Sequence, residues 1–179
     1  MIRTIRTEPD PILRQRSPEV TAGLIQSAEI QSAISDLKET LAASRDGIGI
    51  AAPQIGIAKR IFIVSEESKY IDLPQDERPK KEKNDWAKFV YINPVLSRFS
   101  RKKIDGAEGC LSVPGTFGIV ARHEKISVMA YDEGGRQFSL GASKFFARVL
   151  QHELDHLDGI LFIDRAKRLI EPPADDSQI

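Results

Sequence analysis

The stretch Ser143-Lys144-Phe145-Phe146-Ala147-Arg148-Val149-Leu150-Gln151-His152-Glu153-Leu154-Asp155-His156-Leu157 decides how this chain reads. Phe145, Phe146, Val149, Leu150, Leu154 and Leu157 recur at helical spacings, which predicts a mostly buried helix from about Ala142 onward. Ser143 is placed to cap its start, and Gly159 follows its end where a helix commonly stops. Residues four apart share a helix face, so His152 and His156 can point two imidazoles at one metal ion. Glu153 sits beside the first of them, free to act as a base on a metal-bound water. A hydrolase is the leading expectation. Two histidines at this spacing also occur as ordinary core or surface residues, so the reading depends on company elsewhere in the chain.

The length of 179 residues suits one domain spanning 1–179. Basic and acidic residues number 26 each, so there is no overall electrostatic case for binding nucleic acid, DNA included, or a membrane. No apolar run approaches the roughly 20 residues that a membrane span needs, and Met1-Ile2-Arg3-Thr4 lacks the apolar core of a signal peptide. A single cysteine excludes internal disulfides and fits a reducing compartment, so a cytoplasmic protein is expected, as a monomer or weak dimer. Cys110 is then a buried filler, a reactive thiol or a metal ligand.

Prolines 9, 11 and 18 make Thr7–Thr21 an irregular arm, and Ile30, Ile34, Leu37 and Leu41 predict an amphipathic helix over Ile25–Ala43. Arg60–Val64 reads as a short buried strand, and Phe89–Arg98 as a strand broken at Pro94. Between them, residues 65–88 carry many charges and two prolines and read as an exposed loop. Its basic run Lys80-Lys81-Glu82-Lys83 is an alternative nucleic-acid patch, but the interleaved acids argue against it. A further strand approaches Cys110. Ile119–Tyr131 alternates as one strand, Asp132–Gly135 is a hairpin turn, and Arg136–Leu140 returns. Ile160–Ile163 is a short apolar segment, and residues 169–179 read as a flexible tail. Strands outnumber helices without alternating with them. The class is therefore α+β, with mixed or antiparallel sheets around a central helix carrying His-Glu-x-x-His.

Two more motifs keep the helix company. Gly47-Ile48-Gly49-Ile50-Ala51-Ala52-Pro53-Gln54 lets a backbone approach a ligand closely, and the Gln54 amide can donate to a developing oxyanion. Glu108-Gly109-Cys110-Leu111-Ser112 holds the lone thiol. A catalytic tetrahedral site wants three protein ligands and an open position. Cys110 is one candidate for the third ligand and His123 the other, although the charged neighbours Arg122, Glu124 and Lys125 suggest that His123 lies at the surface.

Taken in order, these three motifs resemble the peptide deformylase family over about Thr7–Arg168, and Pro9–Arg14 resembles its amino-terminal arm. The resemblance implies a hydrolase of protein biosynthesis that removes the formyl group from N-formylmethionine of new polypeptides. It implies that Cys110, His152 and His156 hold the metal, with Fe²⁺ the usual native ion and Zn²⁺, Ni²⁺ or Co²⁺ in a purified sample. Glu153 is then the general base and acid, while Gln54 and the Leu111 backbone N–H stabilise the oxyanion. Substrate is expected to pair along Gly47–Ile50 through Ile48 and Gly49, with Gly109 opposite. Phe145 and Val149, with Ile48, are candidates for the wall of the methionine pocket or else ordinary helix core; Arg148 falls near this wall, where an arginine can snorkel over the rim, and the resemblance implies that Arg122 pairs with Asp155. The 65–88 loop is longer than the compact family pattern. Gly115-Thr116-Phe117-Gly118 also lacks the basic residue that some relatives place near Phe117.

Partners are N-formylmethionyl nascent peptides; the basic cluster Arg165, Lys167 and Arg168 reads first as a solvated helix end, with transient ribosome contact as the alternative. The rivals are a zinc metallopeptidase, which His-Glu-x-x-His alone permits, and a non-catalytic metal-binding or ribosome-docking module, which would have no need for Glu153 and Gln54.

Overall fold

The structure, a computed structural model, describes residues 1–170. Strands β1 (Gly49–Ala51), β2 (Ile61–Ser65), β3 (Lys88–Ser97), β6 (Lys125–Tyr131) and β7 (Gln137–Ser143) form one antiparallel sheet in the order β1-β2-β3-β6-β7. Strands β4 (Lys103–Cys110), β5 (Val113–His123) and β8 (Arg168–Ile170) form a second, in the order β4-β5-β8. The fold is thus α+β with antiparallel sheets, as the patterning predicts.

Strand β2 explains the layering. Ile61, Phe62, Ile63 and Val64 are all fully buried, because successive side chains go to opposite faces and both faces are covered. Ile61 and Ile63 pack with Ile30, Ile34, Leu37 and Leu41 of helix α1 (Ala28–Ala43). Phe62 and Val64 pack with Phe146, Ala147 and Leu150 of helix α2 (Lys144–Leu157). Helix α2 also meets β5 of the second sheet, so the helix carrying the histidines lies between the two sheets.

Several elements depart from the sequence reading. Helix α1 begins at Ala28 rather than Ile25, where the Ser27 hydroxyl accepts from the Ile30 N–H at 3.4 Å. Pro94 does not end its strand. A bulge between Ile92 and Val95 absorbs it, and the Asn93 amide ties the bulge to the Val20 backbone at 2.7 and 2.8 Å. The single strand expected over Ile119–Tyr131 is two, β5 and β6, which part at Glu124 and enter different sheets. Helix α2 begins at Lys144, because residues 141–143 stay paired with 125–127 in β7, and the Ser143 side chain makes no capping bond. Residues 65–88 contain three short 3₁₀ turns and are mostly exposed, yet Ser68 and Trp86 are buried. Ile160–Ile163 leads into α3 (Phe162–Arg165). Leu169 and Ile170, expected in the tail, instead pair with Gly118 and Phe117 as part of β8, because β5 offers an unpaired edge there. The remainder of that tail, 171–179, lies outside the described residues.

At its far end α2 is stopped where the sequence predicts. Gly159 takes φ 74°, and a Cβ there would run into the Arg14 backbone. Gly159→Ala is expected to lower stability by about 1–3 kcal/mol, read as a lower urea midpoint; an unchanged midpoint would contradict this packing.

Candidate metal centre and substrate cleft

Helix α2 presents His152 and His156 on one face, toward the end of β4, where Cys110 sits. The Cys110 Sγ lies 3.2 Å from His156 Nε2, and the two imidazoles stand 5.0 Å apart, centroid to centroid, at 73°. One ligating atom from each of the three residues lies within 4.8 Å of the others. A soft thiolate and two imidazoles, with a cleft on one side, fit a divalent ion held by three protein ligands. His123 is not among them. Its Nδ1 lies 2.7 Å from the Ser100 carbonyl oxygen, and its ring packs on Phe99.

Burial disfavours ionisation of the Cys110 thiol, but the neighbouring His156 and His152 outweigh it and hold its pKa well below the usual thiol value. Burial likewise opposes the charge on His152, yet Cys110 and Glu108 raise its pKa well above the ordinary imidazole value. Glu153 differs in kind. It is 4% exposed, its Oε2 has no hydrogen-bond partner among the described residues, and burial pushes its pKa up to about 7. Its carboxylate lies against Gly49, where a Cβ would collide with it, so the second glycine of the first motif makes room for Glu153.

The residue that sequence reading missed is Glu108. It is 6% exposed and accepts from Arg122 Nε and Nη2 at 2.9 Å each and from Arg148 Nη1 at 2.7 Å. Its Oε2 also lies 3.0 Å from His152 Nδ1, which leaves His152 Nε2 for the metal side. Burial raises the cost of its charge, but the Arg122 hydrogen bonds and His152 hold its carboxyl well below the usual carboxylate range. One signal was available. Glu108 is two residues before Cys110 on a strand and therefore shares its face.

Arg148 corrects an expectation. It lines the cleft beside the wall, as expected, but does not snorkel over the rim; it is 8% exposed and turns inward, where it also donates to the carbonyls of Val120 at 2.9 Å and Ile104 at 2.7 Å. It lies four residues before His152 and so shares the metal-facing side of α2. Arg122 and Asp155 do meet, at 2.5 Å, and Asp155 also accepts from Arg165 at 2.6 and 2.8 Å. Lys167 pairs with Asp105 at 2.7 Å, so two of the three basic residues near the carboxy terminus are engaged within the chain.

Gln54 is held by both ends of its amide. Its Oε1 accepts from the Ala51 N–H at 2.8 Å, while Nε2 donates to Ser112 Oγ at 3.1 Å and reaches Cys110 Sγ at 3.6 Å. The amino-terminal arm laces the two motif loops together, Arg6 N–H donating to the Gln54 carbonyl at 2.7 Å and Glu8 N–H to that of Ser112 at 2.9 Å.

A cleft of about 420 Å³ opens over Cys110, His152 and Glu153. Ile48, Gly49, Gly109, Leu111, Phe145 and Val149 all line it, as do Gln54 and, unforeseen, Pro114, Gly115 and Phe117 of β5. The pairing of Gly109 with Phe117 brings β5 to the rim. Strand β1 is an edge strand. The Ile48 carbonyl is already taken by the Ser65 N–H at 2.7 Å, so ladder alternation turns the Gly49 backbone groups toward the open edge.

The family model described as polypeptide deformylase matches residues 2–171. A protein of Thermomicrobium roseum named peptide deformylase is 41% identical over 164 residues, which is 92% of this chain and 85% of that one. Peptide deformylase 1A, chloroplastic/mitochondrial, of Arabidopsis thaliana is 40% identical over 157 residues, 87% of this chain and 58% of that protein's length. A solved structure of a class I type b peptide deformylase from Acinetobacter baumannii, bound to Met-Ala-Ser, has a TM-score of 0.77 at 33% identity, covering 92% of this chain and 98% of that one.

Glu108→Gln removes one charge and one acceptor oxygen from the buried cluster that orients His152. It is expected to weaken retention of a divalent metal about 10–100-fold, measured by chelator competition followed by metal analysis. Unchanged retention would separate Glu108 from the metal centre.

Proposed function

This chain belongs to the polypeptide deformylase family and is a metal-dependent hydrolase that removes the N-formyl group from nascent peptides; from that premise we propose how its own residues do so. One observation carries the proposal: Glu153 is buried beside Cys110, His152 and His156, against a strand edge open to the cleft. Cys110, His152 and His156 are the residues that would hold the metal. When bound there, a divalent ion supplies a Lewis acid that brings the pKa of water toward neutrality.

The peptide lies extended beside β1 and pairs with the outward backbone groups of Gly49, with Ile48 and Gly109 in contact on either side. Phe145 and Val149 receive the methionine side chain. Glu153 takes the proton of the attacking water, and the formyl carbon becomes tetrahedral. The Gln54 amide and the Leu111 backbone N–H donate to its negative oxygen. Glu153 then returns the proton to the departing amine as the C–N bond breaks, releasing formate and the free α-amino group. Arg122 and Asp155 act from behind. They hold α2 against β5 and, through Glu108, keep His152 in place.

Among the metals, Fe²⁺ is the ion we assign physiologically. The thiolate and two imidazoles also accept Zn²⁺, Ni²⁺ and Co²⁺. The substrates are N-formylmethionyl nascent chains, and transient ribosome contact follows from where those chains emerge. Arg168, exposed on β8, is the member of the basic cluster best placed for it. We take the chain as one catalytic domain working in the cytoplasm. The family match over residues 2–171 and the single cysteine support this, and no helix among the described residues is long and apolar enough to cross a membrane.

Two substitutions test the assignment with a formyl-methionyl dipeptide and protein loaded with Fe²⁺ or Ni²⁺ under anaerobic conditions. Glu153→Ala is expected to lose turnover while keeping its metal. Gln54→Ala is expected to lower kcat by about 10²–10³-fold. Turnover by Glu153→Ala at the wild-type rate would remove Glu153 from the proton path.

A further inference from the structure

Residues 65–88, which join β2 to β3 and include the last residue of one and the first of the other, play no part in the chemistry above. Yet they are built around a fixed centre. Trp86 is buried, packs on Tyr70 at 5.4 Å between centroids, and carries the Lys81 ammonium 4.7 Å above its ring. Lys81 is tied in turn to Glu66 at 3.1 Å. The Arg78 guanidinium donates to the carbonyls of Leu73 at 2.9 Å and Ile71 at 2.7 Å, bracketing Asp72 from both sides.

Asp72 and Lys83 then reach out in opposite directions. Asp72 Oδ2 accepts from the Phe145 backbone N–H at 2.9 Å. That amide lies in the first turn of α2, where a helix has unsatisfied donors and where Ser143 makes no capping bond. Just before it, Lys144 sits at φ 54°, a strained conformation for a residue of its size. Asp72 supplies, from a distant segment, the acceptor and the negative charge that the helix start lacks. Lys83 Nζ donates to the carbonyls of Ser44 and, at 2.8 Å, Arg45, at the end of α1. Ser44 is the extended C-cap of α1 and Arg45 follows it, so Lys83 ties down the turn that leaves the helix.

Both contacts lie next to the walls of the cleft. Phe145 lines it on the helix side. Asp46, Gly47, Ile48 and Gly49, which follow Arg45 directly, line it on the strand side. From this placement we propose that residues 65–88 are a brace that fixes the spacing between the two walls, with Asp72 and Lys83 as positioning residues for binding the methionine side chain. Neither touches the substrate. Each acts through the backbone of its wall, Asp72 through Phe145 and Lys83 through the turn that leads into β1.

The inference rests on the deformylase reading, and its test keeps the two apart. Wild type, Asp72→Ala, Asp72→Asn and Lys83→Met are compared on formyl-methionyl and formyl-phenylalanyl peptides. Both Asp72→Ala and Lys83→Met are expected to raise KM for the methionyl peptide about 3- to 10-fold, with kcat within twofold of wild type, and to reduce the preference for methionine over phenylalanine. Asp72→Asn keeps an acceptor for the Phe145 N–H and is expected to bring KM most of the way back to the wild-type value. A readout without turnover accompanies these. Amide hydrogen exchange at Phe145 is expected to quicken about tenfold in Asp72→Ala but not in Asp72→Asn. KM and side-chain preference unchanged in both Asp72→Ala and Lys83→Met, against an active wild type, would overturn the brace alone. An inactive wild type would overturn the functional reading, and unaltered Phe145 exchange in Asp72→Ala would then overturn the brace as well.

Discussion

A carboxylate taken out of water is stable in a protein only if its charge is met, and Glu108 is met three times. Arg122 grips it with two donors, Arg148 with a third, and His152 stands at its remaining lone pairs. The desolvation of such a group costs several kcal/mol, so the cluster holds together only with all its members in place. Its members come from β4, β5 and α2, so meeting the charge also fixes how the helix sits between the sheets. It orients His152 too, and with it the side of the imidazole that faces Cys110 and His156. From Arg122 the alternation of charge runs on through Asp155 to Arg165, so α2 is tied along its buried flank as well as beneath the metal-facing residues.

The ends of α2 are held just as firmly. Its carboxy-terminal end is gripped by Arg60, which donates to the Leu157 carbonyl and pairs with Asp158 at 2.7 Å, and by the Ser17 N–H, which donates to the same carbonyl at 2.8 Å. A catalytic group gains from being placed before substrate arrives, because no reorganisation is then needed during the reaction. Glu153 inherits its position from a helix fixed at both ends and along one flank. Gln54 inherits its own from a turn that the amino-terminal arm laces to Ser112.

What could be read from the sequence follows the range of the interaction involved. The His-Glu-x-x-His spacing and the apolar stripe on α2 are local, and the helix lies within two residues of where they put it. The alternation across Ile119–Tyr131 was also local, but it could not show that the chain changes sheets at Glu124, because both strands carry the same two-residue period. Ser143 looked like a cap for want of any sign that Asp72, remote in sequence, would take that role. The same holds for charges. Arg122 with Asp155 could be paired through the family resemblance, whereas Arg148 looked like a rim residue until β4 supplied Glu108 beneath it. Leu169 and Ile170 read as tail because only the free edge of β5 makes them a strand.

The central claim is that this buried, charge-locked centre cuts a formamide and leaves the peptide bond beside it intact. Mass spectrometry of the products formed from formyl-Met-Ala-Ser by the metal-loaded chain tests this most directly. The account predicts formate and intact Met-Ala-Ser in equal amounts. Formyl-methionine released by cleavage of the Met–Ala bond, or no product at all, would contradict it.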